Sequence, residues 1–346
     1  MLNKLKITIN HELAQFISQL NKDYSLRKIS PLLFETIKDF MLRDGKRVRP
    51  LLFVAGYLGY AKKPAPRLYQ SALSIELLHD FMLIHDDIID KSNVRRGKPT
   101  VHVMLNRYLK NKNNLKFNGQ DLAIIVGDIM YAMAIRAFLS INEKMEYKER
   151  ALKKFIDAAI YTGTGEFIEL ICGIKSIEKT AKEDIYRIYD YKTAQYTFSS
   201  PLATGAILAG ADEKQISLLS QYGIYIGRAF QIKDDIIGMF SEEKAIGKST
   251  LSDLAESKKT LLIWYAYNQG NAAHKRQIKN MLQSKNITMK DLLKMRQILT
   301  ATGALEAAKQ EIFNLSSKAD KLLKLLTIKP RYKNMLSEFS AKTLKI

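Results

Sequence analysis

Cysteine is almost absent from this chain of 346 residues, because Cys172 is its only thiol. A lone cysteine cannot form an intrachain disulfide, which excludes the small disulfide-stapled folds and favours a reducing, cytoplasmic location. Long apolar runs are also missing: the longest, Leu51–Tyr60 and Leu122–Ile135, fall short of the roughly 20 residues that a membrane-spanning helix needs. The N-terminal residues hold no apolar core of signal-peptide length, so we expect neither a leader nor an anchor.

The composition is that of a globular protein with an excess of positive charge. Hydrophobic residues make up 47% of the chain and charged residues 26%, which excludes a disordered or collagen-like protein. The 55 basic and 35 acidic residues give a formal net charge of +20. Such a charge favours an anionic partner, whether a phosphate compound, a nucleic acid or a membrane surface.

The hydrophobic pattern is helical along most of the chain. Leu73, Leu77, Phe81, Ile84 and Ile88 follow one another at steps of three and four residues, as one face of an α-helix requires. Long strand-like alternation is absent, and valine is scarce beside leucine, isoleucine and alanine. The sequence therefore predicts an all-α bundle of about a dozen helices. Because the helical segments are of similar character throughout, it also predicts a single domain over residues 1–346.

Three aspartates crowd one face of the predicted helix that ends near residue 90. At about 100° per residue, Asp86 and Asp90 lie about 40° apart, and Asp87 and Asp90 about 60° apart. A divalent cation would relieve their mutual repulsion, which the helix dipole increases. Because the pattern uses carboxylate oxygens alone, it suits Mg²⁺ or another hard ion. The structural alternative is a solvated acidic helix end.

A second acidic motif repeats the first one later in the chain. Gln231 precedes Asp234 by three residues and Asp235 by four, so the three side chains share one helix face. Two facing helices that both offer carboxylates would form a cage for several Mg²⁺ ions, which typically bridge protein carboxylates to substrate phosphates. Basic residues that match phosphate in charge and geometry flank both motifs: Lys46, Arg49, Arg95, Arg96, Lys248 and Lys258. Together they predict a diphosphate held by metal ions on one side and by cations on the other.

These motifs together resemble the trans-isoprenyl diphosphate synthases, the polyprenyl synthetase family. The similarity runs from about Gly45 to Lys259, and its most specific parts are GKRVRP at 45–50, IELLHDFMLIHDDIID at 75–90, RRGKPTVH at 95–102, YKTA at 191–194, GAILAG at 205–210 and FQIKDD at 230–235. The resemblance implies an all-α isoprenoid synthase fold around a central active-site cavity. It also implies a homodimeric prenyltransferase that uses isopentenyl diphosphate, allylic diphosphates and up to three Mg²⁺ ions.

The resemblance further implies a role for each residue that matches a family motif. Contacts to the diphosphate of isopentenyl diphosphate are implied for Lys46, Arg49, His79 and Arg96. Contacts to the allylic diphosphate, or closure over it, are implied for Arg95, Lys192, Lys248 and Lys258. Metal ligation is implied for Asp86, Asp90 and Asp234. The implied catalytic set is completed by Asp87, Thr193, Gln231 and Asp235, with Lys192 and Thr193 beside the carbon that ionises.

Three positions depart from the family pattern. Gly238 stands where the second acidic motif usually has its third aspartate, which alters the metal binding expected on that side. Asp44 stands where the family often has a glycine. The segment GEFIEL at 165–170 occupies a place where glutamine and aspartate are usual, so the charge pattern there differs.

The implied reaction proceeds by ionisation, condensation and elimination. Mg²⁺ and the cationic side chains stabilise the charge that develops on the departing diphosphate. The double bond of isopentenyl diphosphate attacks the allylic carbocation, and a proton is then lost. Phe81 lies five residues before Asp86, about 7.5 Å along the helix axis, where a ring would block the growing chain. An aromatic residue there, with no insertion inside DDIID, resembles geranylgeranyl diphosphate synthases and predicts a C20 product, with farnesyl diphosphate (C15) as the alternative.

Other functions stay open at this stage. A terpene cyclase shares the first acidic motif and Mg²⁺, but it has no use for a second diphosphate pocket at Lys46, Arg49 and His79. A basic helical protein that binds nucleic acid would interleave aromatic and basic residues, which this chain does not do, so we expect no nucleic-acid partner. The positive charge leaves peripheral contact with a membrane surface open. A non-catalytic partner subunit would not require an intact DDIID motif.

Overall fold

The computed structural model describes residues 1–241, 254, 256–284 and 286–345, and this part of the chain is almost entirely helical. The all-α prediction is confirmed. The chain divides into two compact units, which are described one at a time: Met1–Leu152 with Thr204–Gly210, and Lys153–Ala203 with Ala211–Ile346. The single domain stays a prediction.

The first unit contains helices and one short β-hairpin. Its helices are α1 (Leu2–Tyr24), α2 (Leu26–Ile29), α3 (Pro31–Leu42), α4 (Val48–Tyr60), α5 (Leu68–Ile89), α6 (Val101–Leu109) and α7 (Gly119–Leu139). The antiparallel hairpin that follows α5 consists of β1 (Val94–Arg95) and β2 (Lys98–Pro99). The first residues of α8 (Met145–Ile174) and the last residues of α10 (Ser200–Leu208) also belong to this unit.

The second unit is helical in its described residues. It contains most of α8, a 3₁₀ turn (Ile177–Lys179), α9 (Lys182–Tyr189), a π-helix (Asp190–Ser199) and the start of α10. The remaining helices are α11 (Glu213–Phe240), α12 (Leu261–Gln269), α13 (Ala272–Gln283), α14 (Met289–Ala301), α15 (Ala304–Leu325) and α16 (Pro330–Leu344).

Helix α5 runs through the core of the first unit and ends at the first acidic motif. Leu73, Leu77 and Ile84 are buried, which confirms the helical period read from the sequence. After the helix ends, the chain reverses through Arg96 and Gly97, whose φ angles of 54° and 72° are both positive. Such a turn matches the twist of a β-hairpin. The reversal pairs β2 with β1, and Arg95 of β1 donates a hydrogen bond to Asp87 in the last turn of α5.

Helix α7 packs along α5 and is the most apolar long helix of the first unit. The helix has 21 residues and is longer than the apolar run Leu122–Ile135, which was predicted from the sequence to be too short to span a membrane. By length and composition alone, this helix could cross one. However, 44% of its apolar window is buried, and Ser71 of α5 donates a hydrogen bond to its Phe138 carbonyl at 2.9 Å. A core helix meets the same criterion of length and composition as a membrane helix.

Glycines allow α11 to approach the π-helix closely in the second unit. A Cβ on Gly223 would lie 2.6 Å from the Ser199 nitrogen, and a Cβ on Gly227 would overlap Ala194. Gln231 and Asp235 continue the same four-residue steps along α11, so they lie on the face that meets the π-helix. π-helical turns are rare and frequently mark functional sites.

Charged side chains are buried where α4, α5 and the hairpin meet. Arg47, at φ 52°, donates a hydrogen bond to Glu76 at 2.7 Å and two more to the backbone carbonyls of Met41 and Arg43 at the end of α3. Arg96 lies 3.9 Å from Glu76 and 3.7 Å from Asp80. Among the described residues, neither oxygen of Asp80 accepts a hydrogen bond. Burial, together with the negative charge of Glu76, raises the pKa of Asp80 from 3.8 to about 8.

We expect Asp80 to make the stability of the chain fall with rising pH. A carboxyl group whose pKa is raised by folding stabilises the folded chain below its unfolded pKa, and that contribution is lost as the pH rises through the folded pKa of about 8. Asp80→Asn removes this proton linkage. Relative to the parent chain, its free energy of unfolding, measured with urea, should therefore rise by about 4 kcal/mol between about pH 5 and about pH 9.

Asp44→Asn is the matched control for this measurement. Asp44 is exposed, and hydrogen bonds from Lys6 and from the Gly45 amide lower the pKa of its carboxyl, so it titrates below the tested range. Its unfolding free energy should follow the parent chain at every pH. An Asp80→Asn curve parallel to the parent curve would show that Asp80 is ionised throughout.

Candidate active site

The three aspartates at the end of α5 have different surroundings. Asp87 is buried and accepts hydrogen bonds from Arg95 Nε at 2.8 Å and Nη2 at 2.5 Å. Burial raises the pKa of Asp87, and the Arg95 guanidinium opposes that shift. Asp86 and Asp90 are half-buried, and a carboxylate oxygen of one lies within 4.8 Å of a carboxylate oxygen of the other. These two residues offer the hard oxygen donors that Mg²⁺ prefers, whereas Asp87 binds the hairpin.

The residues predicted to bind isopentenyl diphosphate lie in one electropositive region of the first unit. Burial and the positive charges of Arg49 and Arg96 lower the pKa of His79 well below its usual range. The imidazole is therefore neutral near pH 7 and can donate a hydrogen bond without adding charge. Arg49 is half-buried, and Lys46 is exposed at the start of the same segment. The region thus provides cationic and neutral donors suited to a diphosphate.

Two acidic residues that the sequence motifs do not single out support this region. Glu76 and Asp80 lie one helical turn apart on α5 and face the buried Arg47 and the half-buried Arg96. The signal was present in the sequence, because both acids interrupt the apolar run of the IELLHDFML segment. A buried acid in an apolar helix needs a charged partner nearby, and the two arginines of the GKRVRP and RRGKP motifs are those partners.

Lys192 lies between two glutamates in the second unit. Its Nζ is 2.6 Å from Glu166 Oε2 and 2.5 Å from Glu169 Oε2. The backbone of α8 comes close enough for these contacts because a Cβ on Gly165 would lie only 2.6 Å from the Lys192 nitrogen. The GEFIEL segment, whose role the sequence left open, therefore supplies the carboxylates that compensate the charge of Lys192.

The two aspartates of the second acidic motif have opposite exposures. Asp234 is exposed, whereas Asp235 is buried. Asp235 accepts a hydrogen bond from Gln231 Nε2 at 2.9 Å and another from the Tyr189 hydroxyl. Thr193 donates its hydroxyl proton to Gln231 Oε1 at 2.6 Å. The structure thus brings Thr193, Gln231 and Asp235 into one hydrogen-bonded row, and Asp234 lies outside that row at the surface of α11.

The two lysines predicted to close over a diphosphate are only partly described. Lys258 forms an ion pair with Glu256 at 2.6 Å. Lys248 lies outside the described residues. Their closing role stays a prediction.

Phe81 fills the space between α5 and α7 below the first acidic motif. Its ring centroid lies 4.6 Å from that of His85 and 5.2 Å from that of Tyr131 on α7. A Cβ on Gly127 of α7 would lie 2.6 Å from the His85 ring and 3.4 Å from Phe81. Gly127 therefore leaves room on α7 for the His85 and Phe81 rings of α5. The Phe81 and Tyr131 rings lie side by side between the two helices.

Comparisons with known proteins agree with this geometry. The family model described as polyprenyl synthetase matches residues 30–299. A geranylgeranyl diphosphate synthase from Sulfolobus acidocaldarius is 29% identical over 84% of this chain and 83% of its own length. A geranylfarnesyl diphosphate synthase from Aeropyrum pernix is 34% identical over 76% of this chain and 78% of its own length.

A solved structure supports the same assignment at the level of the fold. The geranylgeranyl pyrophosphate synthase from Corynebacterium glutamicum, complexed with isoprenyl diphosphate and magnesium, matches with a TM-score of 0.90 and 26% identity. The match covers 100% of this chain and 99% of that protein. The chain therefore belongs to the polyprenyl synthetase family and is a prenyltransferase of the short-chain prenyl diphosphate synthase class.

Proposed function

We propose that the chain condenses isopentenyl diphosphate with allylic diphosphates to give geranylgeranyl diphosphate. The observation that carries this product length is the Phe81 ring, which lies five residues before Asp86 and packs against Tyr131. An apolar chain that grows from the acidic end of α5 along this helix would meet both rings. The Sulfolobus relative is named for geranylgeranyl diphosphate and the Aeropyrum relative for geranylfarnesyl diphosphate, so relatives of this chain differ in product length. Farnesyl diphosphate is the alternative product.

The proposal assigns Mg²⁺ to the exposed and half-buried aspartates. Asp86 and Asp90 would hold Mg²⁺ in the first unit, and Asp234 would hold it in the second, because their oxygens are hard donors. Bound Mg²⁺ would neutralise charge on the departing diphosphate. Support comes from the Corynebacterium protein, which is complexed with magnesium and isoprenyl diphosphate.

The protein's own side chains would bind and orient the two diphosphates. Arg49, Arg96 and Lys46 supply positive charge for isopentenyl diphosphate, and the neutral His79 ring supplies a hydrogen-bond donor. The Lys192 ammonium lies between Glu166 and Glu169. When the allylic diphosphate binds, it would replace one of these glutamates as a partner of Lys192. Arg49, Arg96 and His79 are held by the fold before substrate arrives, which lowers the reorganisation needed during ionisation.

Substitution of the proposed metal ligands tests this function directly. Asp86→Asn and Asp234→Asn should each lower kcat by about 10²- to 10³-fold, because each removes a charge that would hold the metal at the leaving group. Product formed from radiolabelled isopentenyl diphosphate and dimethylallyl diphosphate, with and without Mg²⁺, is the measurement. Asp320→Asn, an exposed aspartate on α15, should retain parent activity. Activity that survives chelation of divalent ions would contradict the metal assignment.

Shortening Phe81 should lengthen the product. In Phe81→Ala the gap between α5 and α7 opens, while Tyr131 still stands beside it. Chromatographic sizing should show products at least one isoprene unit longer, and the Phe81→Ala, Tyr131→Ala double variant should extend them further. Phe313→Ala, whose side chain is 65% exposed, is the control and should leave the product unchanged. An unaltered profile in the double variant would remove both rings as the stop.

The proposal includes a homodimer formed through α8. Exposed apolar residues recur along this helix, most of them three, four or seven residues apart as one helix face requires: Ile156, Ile160, Phe167, Leu170, Ile171 and Ile174. A Cβ on Gly163, in the middle of this row, would meet no atom within 4 Å. A long row of exposed apolar side chains on one helix is a typical contact for a second helix. A cytoplasmic location and contact with a membrane surface stay predictions.

A charge placed in this row should dissociate the dimer. Ile160→Asp would bury a carboxylate in an apolar contact, so sedimentation velocity should show monomer where the parent chain sediments as a dimer. Ile7→Asp on α1, where the side chain is 70% exposed, should leave the dimer intact. A parent chain that sediments as a monomer would refute the proposed assembly.

A further inference from the structure

A continuous row of hydrogen bonds leads from Thr193 into the core of the second unit. Thr193 donates to Gln231 Oε1 at 2.6 Å, and Gln231 Nε2 donates to Asp235 Oδ1 at 2.9 Å. The Tyr189 hydroxyl donates to the other oxygen of Asp235, Oδ2. The Leu261 amide donates to the Tyr189 oxygen at 2.8 Å. The row therefore ends at a backbone group that cannot change its role.

The chemistry of these groups fixes the direction of every hydrogen bond. A backbone N–H can only donate, so the Tyr189 oxygen accepts from Leu261 and its single proton is available for Asp235. A carboxylate accepts, so Gln231 must turn its NH₂ group towards Asp235 and its carbonyl towards Thr193. Thr193 must then donate its only hydroxyl proton to Gln231. Lone pairs are all that the Thr193 oxygen can offer to any other neighbour.

The surroundings of Tyr189 keep it in the donor role. Its side chain is buried at the end of α9, and burial, with the negative charge of Asp235, raises the pKa of its hydroxyl well above the usual range. Leu261 is the first residue of α12, so its N–H has no partner within that helix. The phenol oxygen satisfies this donor, which holds the ring at a fixed distance from Asp235.

Nothing in the family resemblance assigns a role to Tyr189. We infer that Tyr189 is a positioning residue for prenyl transfer: by holding Asp235, it fixes the Gln231 amide so that Thr193 presents lone pairs to the ionising allylic carbon. This inference rests on the proposed place of Thr193 and Gln231 beside that carbon. An oxygen that has donated its proton is a better acceptor of positive charge, because successive hydrogen bonds polarise one another. A hydroxyl proton facing the carbocation would instead oppose it.

A double-mutant cycle separates this role from simple packing. Tyr189→Phe removes the hydroxyl and keeps the ring, and kcat should fall about 10-fold, as expected for one lost hydrogen bond to a charged group. KM for both substrates should stay within about 2-fold, because the change acts at ionisation rather than at the diphosphates. In a Thr193→Val background the same substitution should lower kcat by less than about 2-fold, since the group that it positions is gone.

Tyr186→Phe is the matched control. It lies one turn earlier on α9, and its hydroxyl donates to Glu311, outside the row that leads to Thr193. Its effect on kcat should be small and should be equal in the parent and Thr193→Val backgrounds. Asp235→Asn gives a second test if Tyr189→Phe folds poorly, because an amide at that position no longer dictates the orientation of Gln231. Its loss of kcat should not multiply with that of Tyr189→Phe.

Two results would overturn the inference. Parent-like kcat in Tyr189→Phe, or in Asp235→Asn where Tyr189→Phe does not fold, would show that the hydrogen-bonded row does not position Gln231. Effects of Tyr189→Phe and Thr193→Val that multiply fully would show that Tyr189 acts through general stability. The proposed function fails separately: parent-like kcat in Thr193→Val would remove Thr193 from the reacting carbon and the inference with it, whereas loss in Thr193→Val with a silent Tyr189→Phe overturns the inference alone.

Discussion

Repulsion among carboxylates at the C-terminal end of α5 is the constraint that orders the first unit. Asp86, Asp87 and Asp90 stand within little more than one turn, where the helix dipole adds to their cost. A β-hairpin follows immediately, and Arg95 in its first strand donates hydrogen bonds to Asp87. The Arg95 guanidinium hydrogen-bonds Asp87 and lies 3.8 Å from an oxygen of Asp86, so one positive charge faces three carboxylates. The remaining pair would gain most from a divalent cation, which is why the fold and the proposed chemistry depend on the same few charges.

In the second unit, buried and half-buried charges are compensated by hydrogen bonds and ion pairs from neighbouring side chains. Asp235 is buried among an amide and a phenol, and Lys192 lies between two carboxylates. Both arrangements exist because glycines let helices come into backbone contact, Gly227 beside Ala194 and Gly165 beside Lys192. A side chain at either glycine would separate the helices and lengthen these bonds. Glycine placement and polar geometry are thus one property of this unit.

Much of the fold was predictable because periodicity reports burial directly. The row Leu73, Leu77 and Ile84 identified the buried face of α5, and the acidic spacing identified its last turn. Most of the candidate site residues lie where their motifs place them on helices. The different roles of adjacent residues were harder to predict. Asp234 and Asp235 are the same residue type in the same motif, but only Asp235 lies on the side of α11 that meets the π-helix.

Other features depend on tertiary contacts that local patterns do not contain. The hairpin rests on positive φ at Arg96, a residue type that gives little warning of such a turn. Arg47 is buried although both neighbouring basic residues are more exposed, because Glu76 on another helix accepts its hydrogen bond. Nothing local distinguishes Tyr189 from an ordinary core aromatic, because Leu261 and Asp235, which flank its hydroxyl, are distant in sequence.

The π-helix has a consequence for how this chain tolerates change in length. Its wider turns hold one more residue per hydrogen-bonded ring than an α-helix does. Removal of a single residue between Asp190 and Ser199 would let those turns tighten into ordinary α-helix with every backbone group still bonded. The same tightening would rotate Lys192 and Thr193 away from Glu166 and Gln231. The segment can therefore shorten without unfolding, but only by taking its reactive side chains out of register.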